Sequence, residues 1–501
     1  MNILRKGIGL MLLKGANAGL GFVLALGVAM VLGSNKETDA LLISLFIPVT
    51  IGNELISFLV VLLVPVLVQA DTETTTAKWP AGLGLPLLAG TVGICLLIGL
   101  AAHPLLRLMG PGLDSQALAR GVAFLRLQIP TLFLAVLFGL GHAWFNAERR
   151  FVAPEIGRLC WRLAALTGLV LCGRRWGANG YAVSLLAASV IRALWVLPGP
   201  LAYRRFWSWR GLGQVKSTLS RGAAALTLVM VSSWGIYMIT RAMASLDGEG
   251  SLTLFDYATR LAQFAPLLLS RSIFTVILPE IAASQKKGGS GMGMTQPIAL
   301  ILLVIGLPLA GILYWSAPFL AHGLCRYSRI SFAGQQPLGA ALQGLAVGIP
   351  AVLAHMNLKG IFLARQDVGS VFKISAVQMI CLVLAMAMFR SWGLGGIGLA
   401  VSLSSWAVLL YLWWVLKVAW QVRQVCSLAA AMAILWSGFG LTAPLESADG
   451  LLLPALALLT YSAITWPLCK TWNRDLLQAY RNINYDHRSC GSDSGYGGQG
   501  R

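Results

Sequence analysis

VAFLRLQIPTLFLAVLFGLGHAWF, residues 122–145, carries a single formal charge, Arg126, in an otherwise apolar run. A hydrocarbon core about 30 Å thick is crossed by ~20 apolar residues in an α-helix. The run therefore reads as a membrane span with a cation inside it. Such a cation is costly in lipid and usually faces a protein cavity or a pathway. Apolar runs of the length that a span requires occur about fourteen times, and several carry basic residues in their middles. The runs lie near 8–32, 41–68, 81–102, 122–145, 152–172, 178–198, 223–245, 252–279, 297–316, 337–358, 374–389, 393–416, 426–442 and 451–468. The expected fold class is an all-α integral membrane protein of about 14 transmembrane helices.

Composition agrees. Of 501 residues, 57% are hydrophobic and 11% charged, with a mean hydropathy of +0.75. A soluble domain carries about 25% charged residues. The net charge of +20 comes from bases scattered between spans, with no continuous basic stripe, so nucleic acid is excluded as a partner. Arg5 and Lys6 precede an apolar run too long for a cleaved leader, so the first segment is expected to stay as a helix. The eight cysteines show no metal or disulfide spacing and read as small buried hydrophobes. No cofactor is expected.

Lys and Arg concentrate on one side of the predicted spans, and the positive-inside rule then puts both termini in the cytoplasm. The expected organisation is an N-terminal lobe of six spans (1–200), a second lobe of six (201–420), two further helices (421–470) and a polar cytoplasmic tail (471–501) that reads as disordered. A weak repeat supports two lobes. Asp39 and Asp256 stand at the same offset as Ala147 in NAERR and Ala364 in LARQD. Repeats of this kind build transporters whose site lies between the halves, near the midplane. Prolines 48, 65, 130, 266, 279, 308, 350 and 454 fall within spans and are candidate kinks.

The embedded charges are the candidate site. Lys14, Arg126, Arg158, Arg162, Arg192, Arg241, Arg260, Arg271 and Lys359 lie in or near spans, against Glu54, Glu155, Asp256 and, at a span edge, Asp39. Helical spacing pairs Glu155 with Arg158 and Asp256 with Arg260. Arg192, Arg271 and Lys359, near span ends, are expected to snorkel. Arg158 and Arg162 are like charges one turn apart, and Lys14 has no acid within a turn, so water or an anionic ligand is expected beside them. Arginine forks suit phosphate oxygens. The candidate cationic site is therefore Lys14, Arg126, Arg158, Arg162, Arg241 and Arg260, with Asp39, Glu54 and Asp256 as candidate coupling or gating groups. Membrane potential or a coupling ion, Na⁺ or H⁺, would supply the energy. The five histidines are dispersed, no loop carries paired carboxylates, and a catalytic constellation is absent from the sequence. His142 and His355, inside spans, are expected to bond a neighbouring helix.

ETDALLISLFIPV (37–49), VPVLVQ (64–69), PGL (111–113), FNAERRFVAPEI (145–156), FDYATRL (255–261) with ILPEIA (277–282), LARQDVGSVFK (363–373) and GGIGLAVSLSSW (395–406) occur in an order that resembles the MurJ/MviN lipid II flippases. That family sits in the multidrug/oligosaccharidyl-lipid/polysaccharide exporter superfamily. The resemblance covers about residues 1–420 and implies two pseudo-symmetric six-helix lobes around a cationic cavity, two C-terminal helices forming a lipid-tail groove, and alternating access. It implies a bacterial inner-membrane protein, expected as a monomer, that carries a polyprenyl-diphosphate-linked saccharide to the periplasmic leaflet. Asp39 and Arg260 match family positions, Arg260 a head-group arginine. Three other cavity arginines of the family fall at Ala18, Leu24 and Gly52, where this chain has no base. Lys14, one turn from Ala18, is a candidate replacement. The departures favour an exopolysaccharide or capsule-type repeat unit as cargo, with lipid II as the alternative. A drug or cation antiporter of the same superfamily is a more distant reading, because embedded bases outnumber acids.

Overall fold

The computed structural model describes residues 2–73, 84–198, 234–286, 295–364, 368–415 and 465. Every described segment is helix, turn or bend, and none is a strand. The first apolar run forms α1 (Asn2–Leu32) and stops at Gly33, whose φ of +71° ends the helix. Asn35 then caps α2 (Lys36–Ser44), its side chain accepting from Thr38 N at 3.0 Å. Pro48 has no N–H to give the next turn. The chain passes it as a π-helical turn (Phe46–Ile51) before α3 (Gly52–Glu73), so the second predicted span is interrupted at one of its candidate kinks.

There follow α4 (Gly84–Leu100), a short α5 (Ala102–Met109) turned by 71° from it, and α6 (Ser115–Ala147). Asp114 caps α6 through Ala117 N at 2.7 Å. Its carboxyl sits below the usual range because Lys36 donates to it and Ala117 N–H adds a second bond. Next come α7 (Val152–Gly168), a π turn (Leu169–Gly173) and α8 (Arg174–Val196). Gly177 at φ +58° breaks α8 near its start. The stretch Val152–Val196 holds 45 residues. As one straight helix it would be about 68 Å long, more than twice a bilayer core. Instead α8 packs along α7, giving the two predicted spans.

The seventh predicted span is described only over 234–245, called α9. After it run α10 (Ser251–Lys286), α11 (Thr295–Tyr327), a 3₁₀ turn (Phe332–Gly334) into α12 (Gln335–Ala346), α13 (Ile349–Ala364), α14 (Val368–Phe389) and α15 (Gly393–Val415). The helices α12 and α13 meet at a 50° bend, with Pro350 just past the break. By contrast Pro130 and Pro308 sit inside unbroken helices, so these prolines do not interrupt their spans. Six described segments are long and apolar enough to cross a membrane, and up to eight if each bent pair is one span. The predicted spans 426–442 and 451–468 and the tail lie outside the described residues, apart from residue 465.

Two compact units result. The first gathers residues 1–261, 318–341 and 389–397. Its core has one cluster around Phe46, Leu106, Met109 and Leu125, and another around Ile56, Leu63 and Phe138. The second gathers residues 262–317, 342–388 and 398–501 and packs Ala310, Ile349 and Leu353 together. Within it Gly306 lies so close to Pro350 that a Cβ would stand 2.6 Å from the Pro350 Cα. There too Ser402 donates to the Gly344 carbonyl at 2.6 Å. The expected lobe boundaries at 200 and 420 fall among residues that are not described.

A buried carboxylate joins the two halves of the sequence inside the first unit. The buried Asp39 carboxylate on α2 accepts from Gly250 N (2.7 Å), Thr253 N (2.8 Å) and the Thr253 hydroxyl (2.5 Å). It thus caps α10 from 211 residues away in sequence. Around it Tyr257 donates to the Gly33 carbonyl at 3.0 Å, and Lys36 pairs with Asp114 at 2.7 Å. Glu37 pairs with Arg120.

Asp39→Ala should strip α10 of its cap and leave two N–H groups unpaired, costing roughly 2–4 kcal/mol. A clearly lowered thermal midpoint of the purified protein is expected, with Asp39→Asn intermediate because one acceptor oxygen remains. An unchanged midpoint in the alanine variant would show that the cap is dispensable. Gly33→Ala should destabilise for a different reason. Its Cβ would stand 2.3 Å from the Arg329 carbonyl, at a backbone angle that costs an L-residue about 1–2 kcal/mol before any clash. The same thermal scan checks it.

Candidate functional site

The predicted site residues separate into two groups with different surroundings. The first group lines one face of α1. Asn17, buried, donates to the Glu155 carbonyl (3.0 Å) and to Glu155 Oε2 (3.2 Å). Arg158, one turn along α7, donates to Glu155 Oε1 at 3.0 Å and meets His142 Nδ1 of α6 at 3.3 Å. Lys14 is exposed on α1 and lies within electrostatic range of the same histidine. Arg162, the next turn of α7, lays its guanidinium against Gly21, where a Cβ would stand 3.3 Å from Cζ. The expected Glu155–Arg158 pair forms, as does a bond from His142 to a neighbouring helix.

Arg260 reaches α1 from the other side. Its Nε donates to Asp256 Oδ2 at 2.5 Å, one turn earlier on α10, yet its side chain stays 49% accessible. It borders a small pocket with Phe22, Ala25, Leu26 and Ala29 of α1 and Tyr257 of α10. The other oxygen of the Asp256 carboxylate takes Arg241 at 2.6 Å. Arg241 is nearly buried, its guanidinium over the rings of Phe46 (5.1 Å) and Tyr237 (5.7 Å). One carboxylate thus holds two arginines, one fixed in the core and one presented to open space.

Other expected members stand elsewhere. Arg126 is exposed on α6 and donates to the Gly99 carbonyl at the end of α4 (3.4 Å), apart from the α1 group. A cation near a helix C-terminus is favoured there. Glu54 accepts from the Trp234 indole. Arg192 was expected to snorkel, and it does not. It is buried, donates to Asn53 at 2.8 Å, and lies between the Phe138 and Trp161 rings at 5.1 and 5.3 Å. The close packing of α8 on α6 and α7 leaves its side chain no route to water. Lys359 was likewise expected to snorkel, but it donates to Ser375 of the neighbouring α14 at 3.0 Å. His355 was expected to bond a neighbour, and among the described residues both its ring nitrogens lack a hydrogen-bond partner. The side chain of Arg271 lies outside the described residues. No group of metal-ligating side chains occurs among the described residues.

The positions where the resemblance expects further arginines have their own surroundings. Leu24 is buried at 8% exposure, and a Cβ on Gly52 would already stand 3.3 Å from Ala135 Cβ. An arginine at either place would have to displace packed apolar atoms. Asn17, Asn53, Trp234 and Thr253, the polar partners of this network, were not singled out from the sequence. The spacing of Asn17 from Lys14, one turn on α1, is the only signal that hinted at one of them.

The family model "Lipid II flippase MurJ" matches residues 28–445. The lipid II flippase MurJ of Burkholderia cenocepacia is 24% identical over 319 residues, 59% of either chain. A probable lipid II flippase MurJ of Thermotoga maritima is 20% identical over 334 residues, covering 65% of this chain and 66% of its own. The matched region thus spans about three-fifths of these relatives' length. Among solved structures, a lipid II flippase MurJ in an inward closed conformation superposes with a TM-score of 0.78, covering 92% of this chain and 99% of its own at 15% identity. An inward-facing MATE-family multidrug transporter of the MOP superfamily superposes at 0.62, covering 82% and 96% at 15% identity. The fold is therefore that of the superfamily, and with more than half of its length matched by the family model, this chain belongs to the MurJ family.

Proposed function

We propose that this protein is a flippase for a polyprenyl-diphosphate-linked saccharide in the bacterial inner membrane, and that lipid II is its cargo. Family membership supports the transport class. The observation that carries the site is Arg260, anchored by Asp256 and still half accessible beside α1. A fixed guanidinium with open donors is what an anionic head group needs. Lys14, Arg158 and Arg162 stand along the same helix and add positive charge against the single carboxylate of Glu155. The saccharide-diphosphate would sit among these groups while the polyprenyl chain stays in lipid.

The exopolysaccharide or capsule cargo expected from Ala18, Leu24 and Gly52 loses its support. Both curated relatives above carry lipid II in their names, and cations on α7 and α10 stand beside α1 where the chain lacks its own. A carrier for cations is a poor match to five bases among two acids at this site (Lys14, Arg158, Arg162, Arg241 and Arg260 against Glu155 and Asp256).

Alternating access would work through the Asp39 cap. Opening that side must part Asp39 from Gly250 and Thr253, and substrate can drive this only by binding one opening more tightly than the other. Asp39, Glu54 and Asp256 are each engaged, by helix N–H groups, by Trp234 and by two arginines. Any coupling cation would have to displace those partners. Membrane potential acting on a moving charged head group, worth about 2.3 kcal/mol per charge per 100 mV, is the simpler source. Both termini are placed in the cytoplasm by the positive-inside rule, and the carrier is proposed to act as a monomer.

Expression in a bacterium depleted of its own lipid II flippase tests the cargo. Restored growth and periplasmic lipid II are expected, and failure by a correctly inserted protein would return the cargo to another lipid-linked glycan. In the same strain Arg260→Ala should abolish rescue without loss of protein from the membrane. Lys14→Ala should weaken it by about tenfold if its charge meets the head group. Full rescue by Arg260→Ala would remove that arginine from the site.

A further inference from the structure

Arg126 stands on an apolar outer surface. Beyond Arg120 the exposed positions of α6 are Ala123, Arg126, Leu127 and Pro130, all on one helix face. The neighbouring α4 exposes Leu96, Leu97 and Leu100, and none of its exposed residues is polar. A contiguous apolar surface of this kind on a membrane protein meets acyl chains. Arg126 Nε donates to the Gly99 carbonyl at 3.4 Å, and its terminal nitrogens have no acceptor among the described residues. The helices α4, α5 and α6 contain no Asp or Glu, so nothing on them neutralises Arg107 or Arg126. A guanidinium so placed needs an anion from outside the protein.

Its depth says which anion. Arg120, six residues earlier on α6, pairs with Glu37 beside the exposed Lys36–Asp114 pair, a level that belongs in water. Six residues are about 9 Å along the axis. The head-group layer on each side of a bilayer is about 5–8 Å thick. Arg126 therefore reaches the phosphates of the leaflet in which α4 ends. There α5 turns by 71° from α4, burying Ala102, Leu106 and Met109 and exposing His103 and Arg107. Gly99 lies against Ile129 and Leu106 against Gly121, so α5 runs along α6 from the level of Arg126 towards Arg120. We propose that Arg126 and the exposed edge of α5 hold the phosphate of an anionic phospholipid, with an acyl chain along Leu96, Leu97 and Leu100. The preference for an anionic lipid follows from charge. The phosphate of phosphatidylethanolamine is already neutralised by its own ammonium, which Arg107 would repel. Phosphatidylglycerol carries no such cation, so its phosphate can accept the full fork of Arg126. This site does not depend on which cargo is carried.

The test offers the purified full chain an equimolar mixture of phosphatidylglycerol and phosphatidylethanolamine with the same acyl chains, and native mass spectrometry reads which lipid stays bound. Wild-type protein should retain phosphatidylglycerol at least about fivefold over phosphatidylethanolamine. Arg126→Gln keeps a donor for the Gly99 carbonyl and loses the charge. Its preference should fall below about twofold, with phosphatidylethanolamine binding unchanged. Arg126→Lys should fall between, since a point charge keeps attraction but not the fork. Equal retention of the two lipids by the wild type, a comparison that needs no variant to fold, would reduce Arg126 to ordinary snorkelling and overturn the site. A full preference surviving in Arg126→Gln would also overturn it, as would an equal loss of both lipids in that variant. None of these results touches the flippase reading, which stands on the rescue experiment above.

Discussion

A guanidinium in a hydrocarbon environment needs a partner, and that cost organises the first unit of this protein. Asp256 meets it for two arginines at once, Glu155 for Arg158, and Asn53 with two aromatic faces for Arg192. The solutions are not equivalent. Arg192 and Arg241 are enclosed, and their contacts hold helices together. Arg260 is paired at one edge of its fork and accessible at the rest, so the same ion pair that allows it into the membrane also aims it. Breaking a buried pair by removing one partner costs far more than the pair contributes. Asp256 is therefore as much a part of the candidate site as the arginine it orients.

The Asp39 cap is the second constraint. A helix that begins inside a protein must find acceptors for its first N–H groups. The helix α10 finds them in a carboxylate from α2, and beside the junction Tyr257 of α10 bonds Gly33 while Lys36 and Glu37 of α2 pair with Asp114 and Arg120. These bonds are polar, few and reversible. Such a junction can be exchanged for water when a carrier opens, which an apolar seal of the same area would resist. The π turn at Pro48 lies immediately beyond α2 and bends the chain where α2 would have to move.

The two departures from the family pattern that are buried, Leu24 and Gly52, belong to packing. Cations of α7 and α10 lie against α1, Arg162 at Gly21 and Arg260 beside Phe22 and Ala25. A cavity's potential depends on where charges end up in space, not on which helix carries them.

Much of this was legible without coordinates. Helix existence follows from run length and hydropathy, because no other local structure satisfies backbone groups in lipid. The Glu155–Arg158 and Asp256–Arg260 pairs follow from helical spacing alone. Interhelical choices were not legible. Sequence could not say that Asp256 would also hold Arg241, that Arg126 would turn to the Gly99 carbonyl, or that Arg192 would be enclosed by aromatic rings. Each depends on which face of one helix meets which face of another. The chain by itself determined a helical membrane protein with an excess of embedded bases and the family motifs in order. Only tertiary packing decided which of those bases were enclosed, as Arg192 and Arg241 are, and which stayed accessible, as Arg260 does, because accessibility belongs to an assembled structure and not to any residue within it.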